Sequence, residues 1–338
     1  MRTRFLLLAC LAALSFLISG CTLPLFQTPQ PTPFVFPTIP QVTPQPSPTP
    51  VIPTMDLLLP SPTATVQGAP TATNIPATPT ITPNPSLPYI ILPGVPSGPY
   101  AVIGVANWDV LNIRTAPEPD GVIIGSFPPS TTAILRTGPS AWIEPDLWVE
   151  IQKPTGGTGW VNSEYLTEYV APSAFCADTQ VTTLLWTLGN ALRTSDGELL
   201  SSLVSPAHGV DVYLWRNGKV INFDQTAFNW VFISTWEHNW GAAPGSGLNE
   251  VGSFHVVVLP RLLEVYNANF SQTCNDPGNA AVFSQEPWPQ EYANVNFYNL
   301  HKPGTPGVDL DWRTWLVGVE NVQGKPYLFA LIHFQWEP

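Results

Sequence analysis

The spacing of apolar residues changes character four times along the chain. From Phe5 to Ile18 they form an unbroken uncharged run behind Arg2 and Arg4, and from Thr22 to Pro99 neither a helical nor a strand period can be found. Beyond Tyr100 apolar and polar residues alternate: Leu111 and Ile113 against Asn112 and Arg114 read as a strand with one buried face. Between Val181 and Leu192 the interval lengthens to three and four, through Val181, Leu184, Leu185, Leu188, Ala191 and Leu192, which places one apolar stripe on a helix. After Leu203 the period returns to two and is strongest from Arg313 to Trp336.

The first run, at ~14 residues, is short of the ~20 that a spanning helix needs and has the charge arrangement of a signal peptide. It closes on Ile18-Ser19-Gly20-Cys21, which resembles the lipobox of bacterial lipoproteins. The resemblance implies cleavage before Cys21, acylation of its thiol and a membrane contact through that lipid, residues 1–21 being the leader. An ordinary secretory signal is the alternative. Residues 22–99 hold 22 of the 40 prolines and a single charge, Asp56. Prolines at that density remove backbone donors and favour extended polyproline II, so a disordered Pro/Thr-rich spacer is expected.

What remains is about 240 residues, long enough for two domains. Residues 100–170 read as short strands: Leu111 to Arg114, a Pro-Glu-Pro-Asp-Gly turn, Val122 to Ile124, then Leu147 to Ile151, and a glycine-rich turn before Trp160. The order Leu-Asn-Ile-Arg, Val122 to Gly125, Trp148-Val149-Glu150-Ile151, Gly159-Trp160-Val161 and Tyr165-Leu166 is similar to the bacterial SH3-type (SH3b) domain. The resemblance implies a small all-β barrel whose variable loops contact cell-wall peptide or an envelope protein. Asn107, Trp108, Asp109, Trp142 and Tyr165 are the candidate ligand contacts; for each aromatic ring the alternative is packing on a barrel short of core. Ser130 stands where the family often has glycine, and the segment Thr137 to Leu147 is longer than its usual hairpin.

Residues 175–338 read as an α+β domain. Ser195 with Glu198 three residues on suggests a capping box for a second helix through Leu203. Val210, Val212 and Leu214 then alternate, and Asn217-Gly218 predicts a hairpin returning through Val220 to Phe223. A strand over Asn229 to Ser234 and a short helix opened by Pro260 are expected next, followed by a long terminal hairpin turning between Asn321 and Lys325. Two N-terminal helices before a bent antiparallel sheet are similar to the nuclear transport factor 2-like α+β cone. That resemblance implies a pocket between helices and sheet, with Trp312, Trp315, His333 and Trp336 in core or pocket and Asp311 and Arg313 at its mouth.

The chain carries 24 acidic and 12 basic residues. No basic stripe exists to displace counterions, which excludes nucleic acid as a partner. Cys10 leaves with the leader and Cys21 is taken by lipid, so Cys176 and Cys274 are left to form a bridge outside the cell, two free buried thiols being the alternative. HExxH, GxSxG, P-loop and GxGxxG patterns are absent, and no cofactor or metal set is expected. The reading is therefore a non-enzymatic, surface-anchored binding protein. The alternative is an envelope enzyme acting on wall glycopeptide and targeted by the barrel.

Overall fold

The computed structural model describes residues 89–215, 218–280 and 286–337. The expected leader with Cys21, the expected spacer up to residue 88 and Asn217 of the expected Asn-Gly turn lie outside them. Among the described residues no helix is long and apolar enough to cross a membrane.

The first fold is built from eight strands: β1 Ile91–Leu92, β2 Ser97–Val102, β3 Leu111–Arg114, β4 Ile123–Phe127, β5 Ile134–Ile143, β6 Asp146–Gln152, β7 Thr158–Asn162 and β8 Leu166–Glu168. They pair in the order β8-β2-β5-β6-β7-β3-β4, with β1 added along β5. The alternation at Leu111 and Ile113 puts both inside, with Val102, Phe127, Ile134, Val149, Ile151, Val161 and Leu166. Ordered structure starts earlier than the composition indicated, because β1 and the first residues of β2 fall in the proline-rich stretch. Two bridges suffice there, Ile91 to Ala141 and Leu92 to Ser140. The crossing depends on glycine, since a Cβ on Gly94 would stand 2.2 Å from the Gly138 carbonyl oxygen, and Gly138 itself has φ +121.

The second fold begins with α1 Pro172–Ala177, α2 Thr179–Thr194 and α3 Gly197–Leu203. Asp178 caps α2 by accepting from Gln180 N at 2.8 Å. The stripe expected on α2 is the face that is buried, and Leu188 and Leu192 each contribute roughly 1.5–3 kcal/mol by leaving water. Ser195 does not cap α3: it closes α2 in the left-handed region, and Asp196 accepts from Leu199 N instead. A hairpin follows, β9 Val210–Tyr213 and β10 Val220–Phe223, with Val220 opposite Tyr213 and Phe223 opposite Val210.

Asn229 to Ser234 is not a strand. Asp224 caps a helix, α4 Gln225–Trp230, that buries Phe228, and the chain then turns away. A two-stranded ribbon, β11 His238–Ala242 and β12 Asn249–Gly252, leads into α5 Phe254–Tyr266. This helix starts ahead of Pro260, which sits inside it. The bond that proline cannot donate would go to Val256, on the solvent side of the helix. Four strands complete the fold: β13 Ser271–Cys274, β14 Asn296–Lys302, β15 Arg313–Val322 and β16 Lys325–Gln335. Gln323 and Gly324 turn the last hairpin, both with positive φ, in the manner of a two-residue turn.

The sheet order is β10-β9-β16-β15-β14-β13. It is mixed rather than purely antiparallel, because β9 runs parallel to β16, with Asp211, Val212 and Tyr213 facing Ala330, Leu331 and Ile332. Helices α1, α2 and α5 cover one face, over Trp315, Val317, Val319, Leu328 and Leu331. The other face packs Leu316, Ala330, Ile332 and Phe334 against Trp288, Tyr292 and Val295 of the β13–β14 connection and against Ile103 of the barrel. Cys176 in α1 and Cys274 in β13 form a disulfide with Cα atoms 5.8 Å apart, closing a sequence separation of 98.

The two folds share their hydrogen bonding. Glu168 of β8 pairs with Asn321 of β15, and the Glu168 carboxylate accepts from Gln323 N at 2.7 Å and Gly324 N at 2.8 Å. Asn294 Nδ2 donates to Val102 O at 2.8 Å, and Gly104 N to Glu291 O at 2.9 Å.

Candidate functional site

The loop between β2 and β3 brings most of the barrel candidates together. Asn107 is not free for a ligand, because its Nδ2 donates to Gln290 Oε1 of the second fold at 2.8 Å. That contact and the neighbouring Gly104 bond pin the loop from behind. Trp108 follows immediately and is 88 % exposed, although the barrel has a filled core beneath it. Asp109 Oδ1 accepts from Val110 N at 2.8 Å, which fixes the carboxylate at the start of β3.

Tyr165 lies on the 3-10 turn Ser163–Tyr165 before β8, with Gly104 against its ring. Its phenol is pushed up by partial burial and then by the negative charges of Glu164, Asp146 and Asp109. The negative charges of Glu164, Asp146 and Asp109 all act on this phenol, a local field that favours a cationic or donor-rich ligand and opposes an anionic one. Trp142 is 57 % exposed on β5, opposite Leu147 and next to the Ile143–Asp146 pair that begins β6. By contrast Trp148 and Trp160 are buried together with Ala141 beneath Tyr89 and Ile143. Arg114 donates to Gly121 O at 2.8 Å and serves the Pro-Glu-Pro-Asp-Gly turn.

The candidates in the second fold do not converge on a cavity. His333 is 1 % exposed and sits in the helix-side core, its ring 4.7 Å from that of Trp315. Burial pulls its pKa down to about 3, with the Arg261 and Arg313 charges acting in the same direction against the Leu214 carbonyl, so Nδ1–H of a neutral ring donates to Leu214 O at 3.2 Å. Arg313 pairs with Glu264 of α5 at 2.7 Å. Asp311 organises its own loop: Thr305 donates to it from both the backbone and the hydroxyl at 2.6 Å, and these bonds with Lys302 hold its carboxyl down to about 2. Trp336 is partly exposed past the end of β16, and Trp312 and Trp315 fall on opposite faces of the sheet. Among the described residues the space between helices and sheet, where a pocket is expected, holds packed side chains, Trp315, Leu188, Leu192, Leu262 and Leu331 among them.

Three arrangements were not foreseen. Glu320, 3 % exposed, accepts from Thr167 Oγ1 at 2.9 Å and meets His208 Nδ1 at 2.8 Å, so a carboxylate from β15 is shared between the folds. Burial lowers the His208 pKa, but the Glu320 carboxylate and the Ser163 carbonyl overcome it and the net shift is upward. The outer sheet face holds Asp211, which accepts from Tyr292 OH and from Asn222 Nδ2, while Tyr213 and Tyr292 hydroxyls lie 2.9 Å apart. Burial first, and the Asp211 charge after it, push the Tyr292 phenol far above its usual range. The third is an open groove along residues 230–237, which begins in the segment Asn229 to Ser234 expected as a strand.

Residues 109–167 match the bacterial SH3 domain family. No curated protein and no solved structure matches the chain.

Proposed function

We propose that the protein is a lipid-anchored envelope protein that binds the cell wall through its SH3-type barrel and performs no chemistry of its own. The family match over residues 109–167 carries the reading. Exposed Trp108 and Asp109 and half-buried Tyr165 supply aromatic rings in a field made negative by Asp109, Asp146 and Glu164. Such a face suits an amine-bearing wall peptide, whose cation would be held near the carboxylates while its aliphatic stem lies on the rings. The Cys176–Cys274 bridge fits an oxidising compartment, and Cys21 is the proposed point of acylation.

The second fold acts in this reading as a partner-binding or orienting body. Its leading helices and terminal hairpin support the cone resemblance, although its interior is occupied by side chains. A non-enzymatic role is favoured by how four of the five histidines are used, half-buried His238 being the other. His208 is paired with Glu320, His301 bonds Thr314 and Asn279, His255 bonds Ser234 O, and His333 is enclosed.

Retention of the full chain on purified sacculi is the test. The wild type should be retained and released by soluble amine-bearing stem peptide, whereas Trp108→Ala and Tyr165→Ala should be retained at least about tenfold less, a loss of roughly 1.4 kcal/mol. Equal retention of all three proteins, or indifference to peptide whose amine has been acetylated, would remove the barrel face from the account. Muropeptide release by the purified chain would remove the non-enzymatic claim.

A further inference from the structure

The ribbon β11–β12 and the preceding α4 lie between β10 and α5, and this segment carries a surface that the barrel reading does not use. Trp230, Ile233, Ser234, Thr235, Trp236 and Glu237 line an open groove of about 820 Å³. Trp230 is 55 % exposed, Ile233 68 % and Trp236 73 %. These rings are not left outside for lack of a core, because the same stretch sends Phe228 and Val231 inward. Nor is the backbone loose. Ile233 N and Ser234 N both donate to Trp230 O, Trp236 N donates to Ser234 Oγ, and Ser234 O is met by His255 Nδ1 of α5 at 3.1 Å. Gly197 of α3 fits against Asn229 O so tightly that a Cβ would stand 2.1 Å away, which seats α4.

We infer that this groove is a saccharide-binding site for a neutral chain of N-acetylated hexosamines. The chemistry of the lining selects that class. Among the described residues no Lys or Arg lines the groove, and Glu237 is its single ionisable group, so phosphates, nucleic acids and anionic lipids are disfavoured. Two indole faces present negative π-surfaces to the polarised C–H bonds of a sugar ring. The Glu237 carboxylate accepts from hydroxyl and amide donors, and the Ser234 and Thr235 hydroxyls can donate or accept. The lining combines two rings and an aliphatic side chain with two hydroxyls and a carboxylate, a mixture suited to a ligand with apolar faces and polar edges. The groove is open rather than enclosed, as a chain passing through it requires. The site rests on its own lining; the wall reading of the barrel bears only on where such a chain is met.

Titration calorimetry of the full chain with the tetramer of β-1,4-linked N-acetylglucosamine tests the inference. Saturable binding is expected, weakened at least about tenfold by Trp230→Ala and by Trp236→Ala and several-fold by Glu237→Gln. These side chains are exposed, so far-UV circular dichroism should be unchanged in each variant. Absence of heat at millimolar saccharide with a folded wild type overturns the site, as does affinity that both tryptophan variants leave intact. Self-association that Trp236→Ala abolishes, without a response to saccharide, overturns it in favour of a contact between copies. Trp108→Ala separates the two readings: it should lose the part of sacculus retention that soluble amine-bearing stem peptide releases and keep saccharide binding. If the wild type shows no retention but still binds the tetramer, the barrel reading fails and the groove stands.

Discussion

Replacing His208 by glutamine removes the counter-charge from a carboxylate that is almost wholly withdrawn from water. Glu320 would keep the Thr167 hydroxyl and face a neutral amide where the imidazolium had been. Breaking one side of a buried pair costs about 3–5 kcal/mol, and because glutamine preserves volume and a donor the lower end, about 3 kcal/mol, applies here. The pH dependence has a definite sign. The folded-state pKa of His208 lies above its unfolded value of 6.5, so the stabilisation from its protonation is complete below that value and is lost as pH rises through the folded value. Urea unfolding from about pH 5 to 8, read by tryptophan fluorescence and circular dichroism, should therefore give the widest gap between wild type and variant at the acid end. The gap should narrow toward about 1 kcal/mol, the worth of a neutral hydrogen bond, at the alkaline end. Adding Glu320→Gln should restore most of the loss, since two neutral amides leave no buried charge. A gap that is flat or widens with pH, or a double variant no better than the single one, would refute the pairing as the source of stability.

Three further outcomes can be checked directly. Replacing Cys176 and Cys274 together by alanine should lower unfolding free energy by about 4–5 kcal/mol, the chain-entropy value for a loop of this length, as measured by denaturant titration. Glu168→Ala strips the acceptor from the Gln323 and Gly324 amides; calorimetry should show a loss of about 1 kcal/mol and a barrel transition that separates from that of the second fold. Gly138→Ala combines a left-handed backbone with a collision against Gly94, so a cost of about 1–3 kcal/mol is expected, and a thermal midpoint unchanged from wild type would contradict the crossing.

Elements with a strong local signal were legible. The helical stripe from Val181 to Leu192, the Val210 to Phe223 hairpin and the terminal hairpin each state their period within one segment, and the barrel strands are spaced by turn residues. Local signal misled where capping and burial compete. Asn229 to Ser234 reads as a strand by its apolar residues, yet Asp224 starts a helix just before it and only Phe228 and Val231 go inside. Pro260 reads as a start because proline suits a first turn, whereas the exposed side of α5 tolerates it further in. Strand β14 is buried on both sides, so it lacks the alternation that betrays a half-buried strand. The candidate residues suffered most from long-range pairing. Nothing local to Asn107 announces Gln290, and nothing in the segment Val319 to Val322 announces that Glu320 will be enclosed with a histidine more than a hundred positions away.

The union of β8 with β15 has a geometric consequence. A flexible joint would let the Trp108 face and the Trp236 face sample many separations, and a ligand spanning both would have to freeze that freedom on engagement. Here a strand bridge, two amides on one carboxylate and the Asn294 contacts set the bearing of one face to the other in advance. The second of two linked contacts then forms at an effective concentration set by a single fixed span rather than averaged over many. Whatever polymer touches both surfaces is measured as if by a caliper, with the spacing of its repeats deciding whether one contact or two can be made.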